Sequence, residues 1–146
     1  MPRAEETVTI NRPAGEVFAF IADGANNTRW RPSLLHVEQS TPGPIGVGTV
    51  FKQEENGPGG RPIATDYEIT AYEPSSRLSF RVVAGPARPE GRYTFEDLDG
   101  STRVRFELVW EPKGLSKLLS PMVGRQMPRE VANLHKVKTI LESKQS

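Results

Sequence analysis

The stretch GLSKLLSPMVGRQMPREVANLHKVKTILESKQS, residues 114–146, decides how the remainder of the chain is arranged. Its apolar side chains, from Leu115 through Val123, Met127, Val131 and Leu134 to Leu141, recur at gaps of three and four residues. That spacing places them along one side of a helix, with Lys117, Arg125, Arg129, Lys136 and Lys138 on the others. Helical from Ser120 onward, the segment would be roughly 35 Å long at about 1.5 Å per residue. Isolated helices are marginal in water, so this one needs an apolar partner surface. Two prolines qualify the pattern. Ser120-Pro121 reads as an N-cap followed by a first-turn proline, with Leu115 to Leu119 a separate turn or loop before it. Pro128 lacks the N–H that would bond the Gly124 carbonyl, so a bend is expected there, with the regular portion starting near Arg129.

Upstream, the signal has period two. Val8 and Ile10 alternate with Thr7 and Thr9 as in a half-buried strand. Arg12-Pro13 ends it, Pro13 suits the first turn of a helix, and Val17, Phe18 and Ile21 form that helix's buried side. Asn26 to Trp30 reads as a second short helical turn. Six strands follow, around Leu35–Val37, Val47–Glu55, Pro62–Tyr72, Leu78–Val82, Tyr93–Phe95 and Val104–Trp110, separated by Gly-, Pro- and Asp-rich turns. Gly85 to Pro89 is the longer of these loops. Hairpin-length connections make the strands an antiparallel meander with one apolar and one charged side. The apolar side needs a cover, and the two helical regions supply it.

Composition excludes several functions. At 146 residues the chain suits one domain, spanning 1–146, with one core. The net charge is +1 with acids and bases interspersed, against the clustered Lys and Arg of a nucleic-acid footprint. There is no cysteine, hence no disulfide, thiolate metal site or thiol nucleophile. No apolar signal core opens the sequence and no run approaches a membrane span, so a cytoplasmic location is expected.

Particular residues then carry a resemblance. Asn11-Arg12-Pro13-Ala14 with Glu16-Val17-Phe18, then Ile21-Ala22-Asp23 and Arg29-Trp30, resembles the opening of the polyketide cyclase/dehydratase-like branch of the START-like (SRPBCC) superfamily. Gly46-Val47-Gly48-Thr49, Tyr72-Glu73-Pro74 with Arg77-Leu78, Gly100 to Val104, and Asn133-Leu134 to Leu141-Glu142 fit the same pattern in the same order. The resemblance implies an α+β helix-grip fold: a curved antiparallel sheet of six or seven strands wrapped around a long C-terminal helix over a deep apolar cavity, with two short helices after the first strand. Its members include lipid and sterol carriers, aromatic polyketide cyclases, hormone receptors and ATPase activators, so fold alone implies no single activity.

Trp30, Phe51, Tyr67, Phe80, Tyr93, Phe95, Phe106, Met122 and Met127 are the candidate ligand-binding residues, facing inward from strands and helices. Apolar patterning has two readings, a packed core or a cavity wall, and does not itself choose between them. Tyr67 and Tyr93 would need hydrogen-bond partners when buried, which a ligand oxygen can supply. Met122 and Met127 would form an adaptable mouth. Arg29, Trp30 and Arg31 lie together, and an arginine there either holds a ligand carboxylate or lies on the surface. Asp66 and Glu68 fall on the outer side, and Glu54, Glu55 and Glu90 read as solvated. His36 is out of phase with its apolar neighbours, and His135, at the edge of the helix's apolar side, has no evident carboxylate partner. No catalytic set, metal site or cofactor is expected. Three functions remain open: a non-catalytic module for a small hydrophobic or amphipathic molecule of lipid, aromatic polyketide or isoprenoid type; a cyclase- or dehydratase-type enzyme using the same cavity, with a tyrosine or His135 moving protons; and an interaction module using the basic helix face of Lys117, Arg125, Arg129 and Lys136. A monomer or weak homodimer is expected.

Overall fold

The computed structural model describes residues 3–85 and 87–143. Strand β1 (Arg3–Ile10) leads into helix α1 (Ala14–Ala22), a 3-10 turn over Gly24–Asn26 and the short helix α2 (Asn27–Trp30). Seven further strands follow: β2 (Leu34–Gln39), β3 (Val50–Asn56), β4 (Pro62–Ala64), β5 (Tyr67–Glu73), β6 (Arg77–Val82), β7 (Glu90–Asp97) and β8 (Thr102–Val109). A 3-10 segment over Gly114–Leu119 then enters α3 (Ser120–Ala132) and α4 (Leu134–Glu142). The sheet is antiparallel in the order β1-β8-β7-β6-β5-β3-β2, with β4 paired to β3 off this path. It curls into a half-barrel that grips the C-terminal helices, the α+β helix-grip architecture expected from the sequence.

Strand alternation sets the inner face. Val8 lies opposite Val104, Phe95 opposite Val104 across the other edge of β8, and Tyr93 opposite Phe106. Inside, aromatic rings form a connected layer. Tyr93 stacks on Phe106 at 4.3 Å between centroids, Phe51 stacks on Tyr67 at 5.3 Å, and Phe18 of α1 meets Tyr72 and Phe95 edge-on. Val131, Leu134, Val137 and Leu141 bring the apolar stripe of α3 and α4 down onto this layer, each effectively out of water. Burial of such side chains contributes about 1.5–3 kcal/mol each, which is what holds two short helices in place. The far end of α4 is also clasped by polar contacts. Arg12 Nε donates to the Leu141 carbonyl at 3.0 Å, and the Asn11 N–H and Lys138 Nζ both donate to Glu142 Oε2. The Arg12 contact satisfies one of the carbonyls a helix end leaves open and suits the negative end of its dipole.

Several local expectations need correction. The helix runs through Pro128, and the interruption falls at Asn133 instead. Pro128 and Gly124 both sit on the exposed side of the helix, with open space beside Gly124. At Asn133 two tight backbone bonds, Asn133 N–H to the Glu130 carbonyl and Lys136 N–H to the Asn133 carbonyl, close the joint. The expected strand over Pro62–Tyr72 is two strands, because Thr65 and Asp66 turn aside to bond Gln53: Thr65 N–H donates to its carbonyl and Gln53 N–H donates to Asp66 Oδ1. A bulge between Leu34 and His36 shifts the phase of β2, burying Leu34 and leaving Leu35 exposed. Val47 lies before β3 and is 68% exposed. The loop expected over Gly85 to Pro89 includes Pro86, which lies outside the described residues, as do Met1, Pro2 and the final three positions of the C-terminal stretch.

A cavity between the sheet and the C-terminal helices

The inner face and α3 do not meet everywhere. Between them lies a cavity of about 110 Å³. Its walls are Phe80 and Val82 of β6, Phe106 and Leu108 of β8, Ile63 of β4, and Leu119, Met122, Val123 and Met127 from the C-terminal segment. Ala87 and Pro89, from the loop before β7, complete the rim. Where Arg31 meets Glu55 and Glu130 the lining turns polar, with Gln53 beside them on β3. Two further spaces share parts of this wall. A vestibule of about 250 Å³, lined by Pro32, Ser33, Gln126, Arg129 and Asn133, shares Glu55 and Glu130. A small inner chamber of about 20 Å³, lined by Asn27, Tyr67 and Tyr93, shares Arg31 and Phe80. Arg31 and its carboxylate partners therefore stand between an open polar vestibule and the interior.

The sequence-predicted residues distribute over these spaces. Phe80, Phe106, Met122 and Met127 line the main cavity, and Phe80 also borders the inner chamber with Tyr67 and Tyr93. Trp30, Phe51 and Phe95 fill the packed interior and reach none of the three spaces. Trp30 meets Phe106 edge-on at 6.3 Å, Phe51 covers Tyr67, and Phe95 packs on Phe18. The Tyr67 hydroxyl has a protein partner, accepting from Asn27 Nδ2 at 2.8 Å. Burial raises the pKa of both Tyr67 and Tyr93, so both phenols stay protonated.

The polar end is where sequence reasoning fell short. Glu55 is mostly enclosed rather than fully solvated. It follows Phe51 and Gln53 at intervals of two along β3, on the face that points inward. Arg31 Nε donates to Glu130 Oε2 at 3.0 Å, and its Nη2 lies 3.6 Å from Glu55 Oε2. Ser33 Oγ donates to Glu130 Oε1 at 3.0 Å. Arg31 is largely enclosed, while Arg29 lies outside with its guanidinium 5.1 Å from the Phe20 ring centroid. Burial opposes the charge on Arg31, but the carboxylates of Glu130 and Glu55 outweigh it and raise the pKa. Burial likewise pushes the Glu55 carboxyl up, with Arg31 opposing and Glu130 adding to the shift.

Neither histidine reaches a cavity. His36 is exposed and pairs with Glu54 at 2.7 Å. His135 has the partner its sequence position concealed: its Nε2 lies 3.2 Å from Glu6 Oε2, on the outside of the α4–β1 contact. Among the described residues no group of His, Asp or Glu could hold a metal ion, and no helix is long and apolar enough to cross a membrane.

A curled antiparallel sheet gripping C-terminal helices over an apolar space defines the START-like class of helix-grip proteins. Within it, the sequence matches the family described as polyketide cyclase / dehydrase and lipid transport over residues 1–142, and the chain belongs to that family. Solved structures agree on the fold. A Thermus thermophilus protein superposes with a TM-score of 0.79 at 20% identity, covering 99% of this chain and 100% of its own. A START superfamily protein from Mycobacterium smegmatis gives 0.79 at 14% identity, with 99% and 100% covered. The ZhuI aromatase/cyclase from Streptomyces sp. R1128 gives 0.63 at 19% identity, with 94% and 87% covered. No curated protein matches the sequence.

Proposed function

We propose that this chain binds one small hydrophobic or amphipathic molecule, of lipid, aromatic polyketide or isoprenoid type, in the space between sheet and α3, and does so in the cytoplasm. The observation that carries the reading is a cavity with a largely apolar wall that holds one charged cluster, Arg31 with Glu55 and Glu130. Binding pockets have this composition, with apolar walls for affinity and a few polar groups for orientation. A cavity of about 110 Å³ admits a single ring or a short chain, and the shared vestibule extends the room for a polar tail. Phe80, Phe106, Met122 and Met127 form the contact surface in this proposal, with Tyr67 and Tyr93 behind Phe80.

The test is binding of an apolar fluorescent probe, together with native mass spectrometry of protein purified from its host. Wild-type protein takes up one probe per chain, and Val123→Trp, which fills the space from α3, loses it while retaining the fold by circular dichroism. Absence of any probe or retained ligand on folded wild-type protein would overturn the proposal. The cyclase-type alternative draws on family membership and on Tyr93, whose hydroxyl makes no hydrogen bond among the described residues and borders the inner chamber. A substrate turned over by wild type and not by Tyr93→Phe, with binding intact, would favour that reading.

A further inference from the structure

The polar end of the cavity has more acceptors than donors. Arg31 supplies the cationic group there, and Glu55 and Glu130 supply two carboxylates, so the lining carries a surplus negative charge. Glu130 is well satisfied, by Arg31 and by Ser33. Glu55 is less so: its contact with Arg31 at 3.6 Å is an ion pair longer than a hydrogen bond, and among the described residues its carboxylate accepts no hydrogen bond. Beside it on the same face of β3, Gln53 is 2% exposed, donates its amide to Thr65 Oγ1, and has a buried Oε1 with no hydrogen-bond partner among the described residues. Buried acceptors without partners are costly and uncommon in folded proteins. The Gln53 Oε1 is such an acceptor, and beside it on one strand stands a part-buried carboxylate that accepts no hydrogen bond among the described residues; together they mark a place where a donor belongs.

We propose, resting on the binding function above, that the cavity selects an amphipathic amine, whose ammonium group donates to Gln53 Oε1 and the Glu55 carboxylate while its apolar body lies against Phe80, Phe106 and Met127. An ammonium group brings donors and a positive charge, matching the partnerless Gln53 Oε1, the Glu55 carboxylate that lacks a hydrogen bond, and the surplus charge. A carboxylate brings neither. It would face Glu55 and Glu130 as a like charge, and the guanidinium that would otherwise receive it is already held between those two residues. Arg31 is thus part of the acidic cluster's own neutralisation and not an anion receptor.

The experiment measures, by calorimetry at neutral pH, the affinity of the protein for three probes with the same body: phenylbutylamine, phenylbutanol and phenylbutyrate. The amine is expected to bind at least about tenfold more tightly than the carboxylate, since hydrogen bonds to charged groups are the stronger kind, with the alcohol between them. Glu55→Gln, which keeps the shape and removes the charge, brings the amine down to the level of the alcohol. Gln53→Leu weakens amine and alcohol alike. Phenylbutyrate binding as tightly as phenylbutylamine overturns the amine selection and leaves the cavity's binding role standing, as does an amine affinity unchanged in folded Glu55→Gln. No binding of any of the three to folded wild-type protein overturns both.

Discussion

Gly91 offers a direct way to close the cavity from the sheet side. It lies opposite Phe80 in the β6–β7 register, and the Phe80 ring covers it. A Cβ added at Gly91 would sit 2.2 Å from both Cε1 and Cζ of that ring. Carbon atoms rest at about 3.5–4.0 Å, so the ring must retreat by roughly 1.3–1.8 Å. The strand holds the Phe80 backbone, which leaves the ring to lift off the sheet and into the spaces it borders, the main cavity on one side and the inner chamber on the other. Overpacking of this kind costs about 1–3 kcal/mol. For a chain of this size that corresponds to a fall in Tm of roughly 3–12 °C. Gly91→Ala is therefore expected to unfold earlier in a calorimetric scan and to lose affinity for an apolar probe, because the displaced ring occupies part of the ligand's space. A variant with unchanged Tm and unchanged probe affinity would refute the reasoning, since the ring could not then be resting on Gly91 at the cavity wall.

Other outcomes follow from the same geometry. The folded Glu55 carboxyl titrates above its unfolded value, so its contribution to stability is complete below the unfolded pKa and is lost as pH rises through the folded one. Urea unfolding of wild type and Glu55→Gln, compared in steps from about pH 4 to neutrality, should show the variant gaining on wild type as pH increases; a constant difference counts against it. Tyr67→Phe strands the buried Asn27 amide, which now donates to the hydroxyl at 2.8 Å, and should cost about 1–3 kcal/mol, read as a lower denaturation midpoint at unchanged m-value. Leu141→Ala, at a position fully removed from water, should cost about 2–5 kcal/mol. Leu118→Ala, at 79% exposure, should stay within about 0.5 kcal/mol and serves as its control.

Much of this architecture is written in local periodicity. The alternation of Val104, Phe106 and Leu108 gave the inward face of β8, and the spacing of Val131, Leu134 and Leu141 gave the buried side of the C-terminal helices. Where the structure departs from that reading, the cause is non-local. The bulge that exposes Leu35 depends on how β2 meets β3, and the break at Thr65 and Asp66 depends on contacts to Gln53. The cavity's polar end is the instructive case. Counting by twos from Phe51 would have turned Glu55 inward, and Glu130 adjoins the apolar stripe through Met127 and Val131. Each signal existed, but a charged residue in a strand is ordinarily assigned to water. Only the fold brings Arg31, Glu55 and Glu130 together from three distant parts of the chain. Whether inward aromatics close on one another or stand apart is likewise a matter of backbone spacing, on which their order along the chain is silent.

The pairing of β1 with β8 sets the timetable of assembly. Arg3 lies opposite Val109 and Ile10 opposite Thr102, so the first of the described strands to be made finds its neighbour only after the last of them. Connections this long in sequence fold slowly, because loop-closure entropy is spent before the contacts form. During synthesis Val8 and Ile10 wait without a partner, while the hairpins from β5 to β8 need only short-range closures. The edge of the half-barrel that β1 forms is thus closed by the longest-range pairing in the sheet, and the hairpins beside it by the shortest.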